Sequence, residues 1–388
     1  PKPSQDPSES RLLKFDLVQL RDALNDSDAI NIMLPDPHGG AVEFALRPSS
    51  VMPEQLAARY PEIRAFEGVA LHDAATTIRL EFSSKGLTAQ VLGAGNRWLI
   101  DPVEGLSPEF ARSYKYSKSF HTKDEAFCEL DSVGVFGGGS APNDQFKGTT
   151  RRARSTGESV KTYRLAVATT GEYGVYHGGT TASALEAVVA TVNRVDGIFA
   201  SELAIRFQLV DDNDAVVFAD PATDPFTGND DAGTLIDESQ AQIDLLIGTE
   251  NYDVGHTLST GAGGLAGLGV VCREGGKAEG VTGSSTPEGD FFDVDYVAHE
   301  LGHQFAADHT WNGSNGGCGP QQRGPNSAYE PGSGSSIMSY AGLCGADNIA
   351  SAVDALFHHQ SFDQIIGYTT EGIGLSLIHI SEPTRPLS

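Results

Sequence analysis

The sequence predicts an α+β protein of two domains, in which a mostly β N-terminal domain precedes a domain of interleaved strands and helices. Three observations carry this prediction. The chain has 388 residues, whereas a single domain usually holds about 100 to 200. Up to about residue 145, short runs of alternating apolar and polar residues are separated by turn residues. After residue 160, apolar runs of strand length alternate with longer runs of helical period.

The first predicted elements form an antiparallel sheet preceded by a short helix, LVQLRDALND, at 17–26. The strand-like segments are 40–48, 76–86 and 87–102. Ile78, Leu80 and Phe82 alternate with polar residues, which is the period of a strand with one buried face.

Residues 134–162 are rich in glycine and polar residues and have no apolar period, which indicates an exposed linker. Arg151, Arg152 and Arg154 lie at its centre. A basic cluster on an accessible linker is a target for a trypsin-like or subtilisin-like processing protease. The alternative is an ordinary solvated run of charge.

The second predicted domain alternates strands with helices. Its elements are a strand at 162–170, a helix at 180–203, a strand at 203–210, a helix at 232–248 and a glycine-rich strand at 263–271. Thr180 or Thr181 could cap the first helix. The apolar stripe of that helix comprises Leu185, Val188, Val189, Val192 and Val195.

These patterns divide the chain into an N-terminal domain with its linker at 1–154, a second domain at 155–374 and a tail at 375–388. The tail does not continue the pattern of the domain and resembles a translated sequencing adapter, so we exclude it from the fold. The first residues lack the features of a signal peptide, and we expect that the chain begins after a removed leader or is a fragment.

Charge and hydropathy exclude several classes of partner. The formal net charge is −26, which repels nucleic acid and anionic lipid surfaces. No apolar run approaches the roughly 18 residues that span a bilayer. We expect a monomer that binds neither nucleic acid nor membrane. The carboxylates at 211–231 could bind Ca²⁺, but their spacing does not fit an EF-hand loop, and a solvated acidic loop is the favoured interpretation.

Three histidines in the segment AHELGHQFAADH indicate a metal site. His299 and His303 are four residues apart, so on a helix their imidazoles project from one face and can bind a single metal ion. Glu300 lies beside them. A continuing helix would carry His309 up to about 9 Å along its axis, so the chain must turn back. Such a turn usually has glycine at a positive φ, and this chain has Ala306 there.

These residues resemble a known signature. HELGHQFAADH resembles H-E-x-x-H-x-x-G-x-x-H, the zinc signature of metzincin metallopeptidases, with Ala306 in the glycine position. SSIMSY resembles the Met-turn that metzincins place beneath the zinc, with Met338 as its methionine. GGLAGLGVVC and KAEGVTG are similar to bacterial reprolysin-like metallopeptidases, and PEIRAFEGVA with WLIDP is similar to their pro-segment. The resemblance covers about 12–370.

This resemblance implies a metzincin fold with a mixed, twisted sheet and an active-site helix, preceded by a mostly β pro-domain. It implies a secreted bacterial zinc endopeptidase, made as a zymogen, that hydrolyses proteins or peptides. His299, His303 and His309 would bind Zn²⁺, and Glu300 would act as the general base. The competing class is a non-catalytic metal-binding or adhesion module with the same fold, which has no use for a base beside an open site.

The resemblance also implies roles outside the histidine segment. Tyr340 matches a catalytic tyrosine of astacin-like and serralysin-like metzincins, although reprolysins proper do not use one and packing in a turn is the alternative. By family, an edge strand would bind extended substrate through Gly264, Leu265, Ala266 and Leu268.

Two hypotheses concern the cysteines. Cys318 and Cys344 lie in loop-like settings, which favours a disulfide in an oxidising compartment over two free, buried thiols. Cys128 precedes the basic cluster and could keep the enzyme latent by binding the zinc, as in some metzincin zymogens. Its surroundings match no strict cysteine-switch motif, so a disulfide with Cys272 and a plain buried thiol stay open.

Overall fold

Two sheets organise the chain, each with helices packed against it. In the computed structural model, the described residues are 10–25, 30–93, 96–103, 105–116, 128–130, 159–261, 263–371, 374 and 380–381. The basic cluster at Arg151, Arg152 and Arg154 lies outside the described residues. None of the helices in the described ranges is both long and apolar enough to cross a membrane.

The N-terminal sheet has eight strands, and all of its neighbouring pairs are antiparallel. The strands are β1 (Ser10–Lys14), β2 (Ile30–Pro35), β3 (Ala41–Pro48), β4 (Arg64–Ala70), β5 (Asp73–Ser83), β6 (Gly86–Gly93), β7 (Asn96–Pro102) and β8 (Phe110–Lys115). Their order is β1-β8-β7-β6-β5-β4-β3-β2. Ile78, Leu80 and Phe82 of β5 are buried in the core of this sheet, as their alternation predicts. Helix α1 (Leu17–Asn25) packs against this sheet, and helix α2 (Glu54–Arg59) follows β3.

The second sheet is mixed. Its strands are β9 (Cys128–Leu130), β10 (Val160–Thr169), β11 (Ile205–Leu209), β12 (Val254–Ser259), β13 (Gly264–Ala266), β14 (Gly280–Gly283) and β15 (Ile380–Ser381). The order is β11-β10-β12-β14-β13-β9. Strand β15, which lies in the tail that was expected outside the fold, pairs with the start of β10. The first four strands in this order run parallel, β13 runs antiparallel to β14, and β9 runs parallel to β13.

Among the described residues after the linker, the α-helices are α3 (Gly171–Tyr176), α4 (Thr181–Leu203), α5 (Ala232–Ile247), α6 (Ala298–Gln304) and α7 (His359–Glu371). A π-helical segment, Phe291–Val297, leads directly into α6. Thr180 caps α4 by accepting a hydrogen bond from the backbone N–H of Ser183. The predicted apolar stripe of α4 is buried in the core of the second sheet.

The opposite side of α4 is polar and lies under the N-terminal sheet. Its Arg194 pairs with Asp101 of β7 at 2.8 Å, and its Asp196 accepts from Arg79 of β5 at 3.0 Å. Val51 and Leu56, which follow β3, also join the apolar core of the second sheet. Helix α4 is therefore enclosed by both parts of the chain.

Two predicted elements differ in extent from the structure. The glycine-rich strand expected at 263–271 is a strand only at Gly264–Ala266, because the chain then turns through Gly269 at a φ of +66°. The helix that carries the histidines is α-helical only at Ala298–Gln304, and a π-helical segment precedes it. The predicted elements at 162–170, 180–203, 203–210 and 232–248 lie within a few residues of the strands and helices of the structure.

Candidate metal centre

Helix α6 presents His299 and His303 from one buried face, as their spacing predicts. The side chain of Met338 lies directly beneath this helix, at Gly302, where any Cβ would collide with the methionine sulfur. Met338 is itself fully buried. The predicted Met-turn therefore packs against the histidine helix, and a glycine in the helix permits the close approach.

The chain turns back after α6 at Ala306, whose φ is +75°. This is the left-handed conformation that a glycine adopts at little cost and an alanine does not. The Ala306 methyl group faces Gly269, which also has a positive φ and no side chain to crowd it. The turn thus keeps the predicted geometry despite the alanine, and it returns His309 to the other two histidines.

The three imidazoles meet through their Nε2 atoms. The Nε2 of His303 lies 3.1 Å from that of His299 and 3.1 Å from that of His309, and the third separation is 3.3 Å. All three side chains are buried. Within the described residues, this triad is the one group of three or more potential ligands close enough to share a metal ion.

Each imidazole uses its Nδ1 for a backbone carbonyl. His299 donates to Ile337 O at 2.7 Å, His303 to Ala307 O at 2.7 Å and His309 to Gln322 O at 2.5 Å. Because a carbonyl only accepts, each Nδ1 must carry the proton, and in a neutral ring the Nε2 then holds a lone pair. The hydrogen bonds therefore aim three lone pairs at one point.

Burial keeps these rings neutral. It lowers the pKa of His299 to about 4. It also lowers the pKa of His303 and of His309 well below the usual value, and the neighbouring imidazoles add to the effect. A neutral imidazole is the form that binds a metal.

The triad fits a tetrahedral zinc ion. Zinc binds imidazole nitrogen at about 2.0 to 2.1 Å, which sets neighbouring ligands of a tetrahedron about 3.3 to 3.4 Å apart. The observed separations of 3.1 to 3.3 Å are close to this. Lone pairs at such distances repel each other, so the arrangement is favourable only with a cation between them.

Glu300 of α6 packs against the predicted substrate strand, β13. Its side chain is fully buried. Its carboxylate lies against β13 at Gly264, where a Cβ would collide with it. A glycine at this position therefore lets a carboxylate from α6 approach the backbone of the strand.

A comparison with known families agrees with this geometry. A family model described as metallo-peptidase family M12B, reprolysin-like, matches residues 159–366, which is more than half of the chain. The chain belongs to the reprolysin-like metallopeptidases. The predicted resemblance is thereby confirmed, and the α+β fold with a β-rich N-terminal part is confirmed with it.

Curated proteins and solved structures were also compared with this chain. A search of the curated proteins found no match. Among solved structures, the reprolysin-like chain is similar to metalloproteinase-II from Bacteroides fragilis, with 10% sequence identity and a TM-score of 0.49. That alignment covers 91% of this chain and 95% of the other. A likeness this distant carries no argument about the site.

Tyr340 lies against the histidines of the reprolysin-like site. Its ring centroid is 4.6 Å from that of His309 and 5.9 Å from that of His299. The ring of Trp311 lies 5.1 Å from Tyr340 on another side. The position suits both of its predicted roles, in catalysis and in packing.

The predicted substrate residues are only partly in one strand. Gly264, Leu265 and Ala266 form β13, whereas Leu268 lies in the turn after it. In this structure β13 has a neighbour on each side, because β9 pairs in parallel along its outer side. Cys128 pairs with Gly264 in that register.

The cysteine predictions have separate outcomes. Cys318 and Cys344 form a disulfide, which confirms the predicted pair. Cys272 is a free thiol whose pKa burial raises to about 12. The side chain of Cys128 lies outside the described residues, so its role stays a prediction.

The predicted acidic loop uses several of its carboxylates within the protein. Asp214 accepts hydrogen bonds from Arg59 at 2.7 Å and from Tyr60 at 3.1 Å. Asp231 caps α5. Calcium binding there remains a prediction.

Sequence patterns missed the residues that hold α6 on the sheet. Gln304 donates to Gly255 O at 2.8 Å, and its Oε1 lies 3.0 Å from Nδ1 of His256 in β12. His256 also contacts Thr282 of β14 at 2.9 Å. A polar residue beside a ligand histidine, on the buried side of a helix, is the signal that could have revealed this contact.

Proposed function

We propose that this reprolysin-like metallopeptidase is a secreted bacterial zinc endopeptidase that is made as a zymogen. The observation that carries the proposal is the convergence of three neutral imidazoles, each oriented by a backbone carbonyl, beside a buried carboxylate. His299, His303 and His309 would hold the metal, and Glu300 would act as the general base. A three-histidine set suits zinc and leaves a coordination position for water or substrate.

Bound zinc would supply a Lewis acid for the peptide carbonyl and would lower the pKa of a water molecule towards about 7. The carboxylate of Glu300 then takes the proton of the attacking water and delivers it to the leaving amine. The buried surroundings of Glu300 exclude bulk water from this transfer. No covalent intermediate with the protein is required.

An extended substrate would bind along β13 by adding a strand through backbone hydrogen bonds. Gly264, Leu265 and Ala266 would provide these bonds, and Leu268 would line the end of the cleft. The contact between Gly264 and Glu300 supports this arrangement, because it brings the strand next to the base.

Tyr340 has two candidate roles that one substitution separates. A hydroxyl that stabilises the developing oxyanion would make Tyr340→Phe lower kcat with little change in KM. A ring that only packs against His309 and Trp311 would leave both constants near those of the parent. The loss of one oxyanion donor usually costs about 10²- to 10³-fold in kcat.

Latency would result from the N-terminal part. The parallel pairing of β9 with β13 supports this, because it occupies the side of the strand where a substrate would add. A thiol at Cys128 would lie at the position paired with Gly264. A processing protease would cut at Arg151, Arg152 or Arg154 and release β9.

The test starts from the folded, uncleaved protein, which is cleaved at the basic linker rather than truncated genetically. Hydrolysis of internally quenched peptides is measured before and after cleavage, with a chelator, and after zinc is restored. We expect activity after cleavage that the chelator abolishes, that zinc restores and that Glu300→Ala lacks. If the cleaved, zinc-loaded parent is no more active than Glu300→Ala, the chain is a binding module instead.

Cys128→Ser tests the thiol separately from the strand. Premature activity of the uncleaved variant would support latency through Cys128. An uncleaved variant as silent as the parent would leave strand pairing as the source of latency. Localisation is tested by fractionating the native host, where we expect the protein outside the cell.

A further inference from the structure

Glu330 connects two segments that reach the metal centre. One segment follows His309, and the other is the turn that carries Met338. The Oε2 atom of Glu330 accepts from Thr310 Oγ1 and from Ser336 Oγ, both at 2.5 Å. Its Oε1 atom accepts from the backbone N–H groups of Ser335 at 2.9 Å and Ser336 at 3.1 Å.

The backbone adds to this connection. Glu330 N–H donates to Thr310 O at 2.8 Å, and Thr310 N–H donates to Met338 O at 3.1 Å. Thr310 and Ser336 are buried. The two hydroxyls are therefore shielded from solvent, and the half-buried carboxylate of Glu330 links them.

Two of the three histidines depend on these segments. His309 directly precedes Thr310. His299 donates its Nδ1 proton to Ile337 O, and Ile337 directly follows Ser336. His303 differs from both, because its partner, Ala307 O, belongs to the turn that ends its own helix.

The site needs a carboxylate rather than an amide. All four groups that reach the Glu330 side chain are donors, and an ionised carboxylate can accept four hydrogen bonds with no donor of its own. A glutamine would turn an NH₂ group towards two hydroxyls that already donate. Hydrogen bonds to a charged acceptor are also stronger than those to a neutral one.

We propose that Glu330 is a positioning residue of the metal centre. Its carboxylate fixes His309 and the carbonyl partner of His299 relative to His303. This inference rests on the proposed function, since it assumes that the triad binds a metal. Partners of metal ligands are worth about 10- to 100-fold in metal affinity.

The test compares Glu330→Gln with Asp347→Asn in the full-length protein. Asp347 is the control, because its carboxylate also accepts from a backbone N–H, that of Ser314 at 2.7 Å, yet it accepts from neither Thr310 nor Ser336. Zinc and Co²⁺ affinities are measured by competition with a chelator, and the absorption spectrum of the cobalt form is recorded.

We expect Glu330→Gln to weaken both affinities by about 10- to 100-fold and to shift the cobalt spectrum. The control should stay within about twofold of the parent. Affinities and a spectrum for Glu330→Gln equal to those of the parent would overturn the inference. A parent that binds neither metal would instead overturn the proposed function, and the inference with it.

A second set of variants covers the case in which Glu330→Gln does not fold. Thr310→Val and Ser336→Ala each remove one donor, and each should weaken metal binding by about 3- to 10-fold. If Thr310 acts through Glu330, Thr310→Val has a smaller effect on affinity in the Glu330→Asp background than in the parent. Unchanged affinities in both single variants would overturn the inference.

Discussion

Two buried polar clusters in this molecule differ in how their side chains interact. In one the side chains form ion pairs with one another, whereas in the other they direct lone pairs at a common point. The interface cluster lies between the N-terminal sheet and α4 and comprises Arg97, Arg194, Asp101, Asp290 and Asp293. Each of its guanidinium groups lies within 3.2 Å of a carboxylate. The histidine cluster at the metal centre has three Nε2 lone pairs directed at one another.

The difference teaches how to separate a structural cluster from a binding site. A cluster in which opposite charges pair with one another needs no ligand, and its role is to join two parts of the fold. A cluster whose lone pairs converge is stable only when something else supplies positive charge. Burial is therefore common to both clusters, whereas ion pairing within the protein is found in one.

The largest expected effect concerns the chemistry beside the histidine cluster. Glu300→Gln should lower the rate of peptide hydrolysis by about 10²- to 10⁴-fold, because an amide cannot take the proton of the attacking water. Zinc content and thermal stability should stay near those of the parent. Steady-state kinetics of the cleaved protein measure the rate, with exposed Glu274→Gln as the control. Activity in the Gln variant comparable to that of the control would remove Glu300 from the mechanism.

The interface cluster should respond in stability and not in metal binding. Arg194→Met removes the partner of three carboxylates, of which Asp290 and Asp293 are buried, and breaking a buried ion pair costs about 3 to 5 kcal/mol. Arg47→Met is the control. The Arg47 side chain pairs with Glu67 but is 49% exposed, and ion pairs of a solvent-exposed arginine contribute about 0 to 1 kcal/mol. Denaturant unfolding gives the free energies. Equal losses in the two variants would contradict a special role for the cluster.

The pH dependence of stability tests the balance of charge in the interface cluster. Burial raises the pKa of Asp293 to about 7, despite Arg194 and Thr191, and Asp290 and Glu81 raise it further. Between about pH 4 and 7 the folded protein keeps a proton there that the unfolded chain has released. The contribution of this group to stability therefore falls as pH rises, by up to about 4 kcal/mol, and stays low above pH 7.

Asp293→Asn isolates this contribution, because asparagine mimics the protonated acid. We expect the stability difference between variant and parent to shift in favour of the variant as pH rises from about 4 to 7. Chemical unfolding at several pH values measures it. A difference that does not change with pH would show that Asp293 titrates normally.

The smallest expected effect is at the turn before His309. Ala306→Gly should relieve the strain of a positive φ, for a net gain of about 1 kcal/mol after the greater flexibility of glycine in the unfolded chain is counted. Thermal unfolding and zinc affinity are measured together. A glycine variant no better than the parent in either quantity would mean that the contact with Gly269 already offsets the strain.

The sequence predicted what depends on short-range spacing. The four-residue interval between His299 and His303 requires only a helix, and the return of His309 requires only a turn. The apolar stripe of α4 and the alternation in β5 likewise depend on local periods. The disulfide between Cys318 and Cys344 was predictable because both lie in glycine-rich loops within one region of the chain.

Contacts between distant segments were not predictable in this way. Arg194 and Asp101 are 93 residues apart, and polar residues in the middle of a helix have no periodic signature that names their partners. The four donors to Glu330 come from two segments, so no spacing in the sequence reveals them. The pairing of β9 with β13 joins Cys128 to a strand more than a hundred residues away.

Metal analysis of the purified protein tests the central claim most directly. The account predicts one zinc ion for each chain of the parent, and loss of that zinc in His303→Ala while the protein remains folded. It would be contradicted by a parent without a bound transition metal, or by a His303→Ala variant that retains the metal in full.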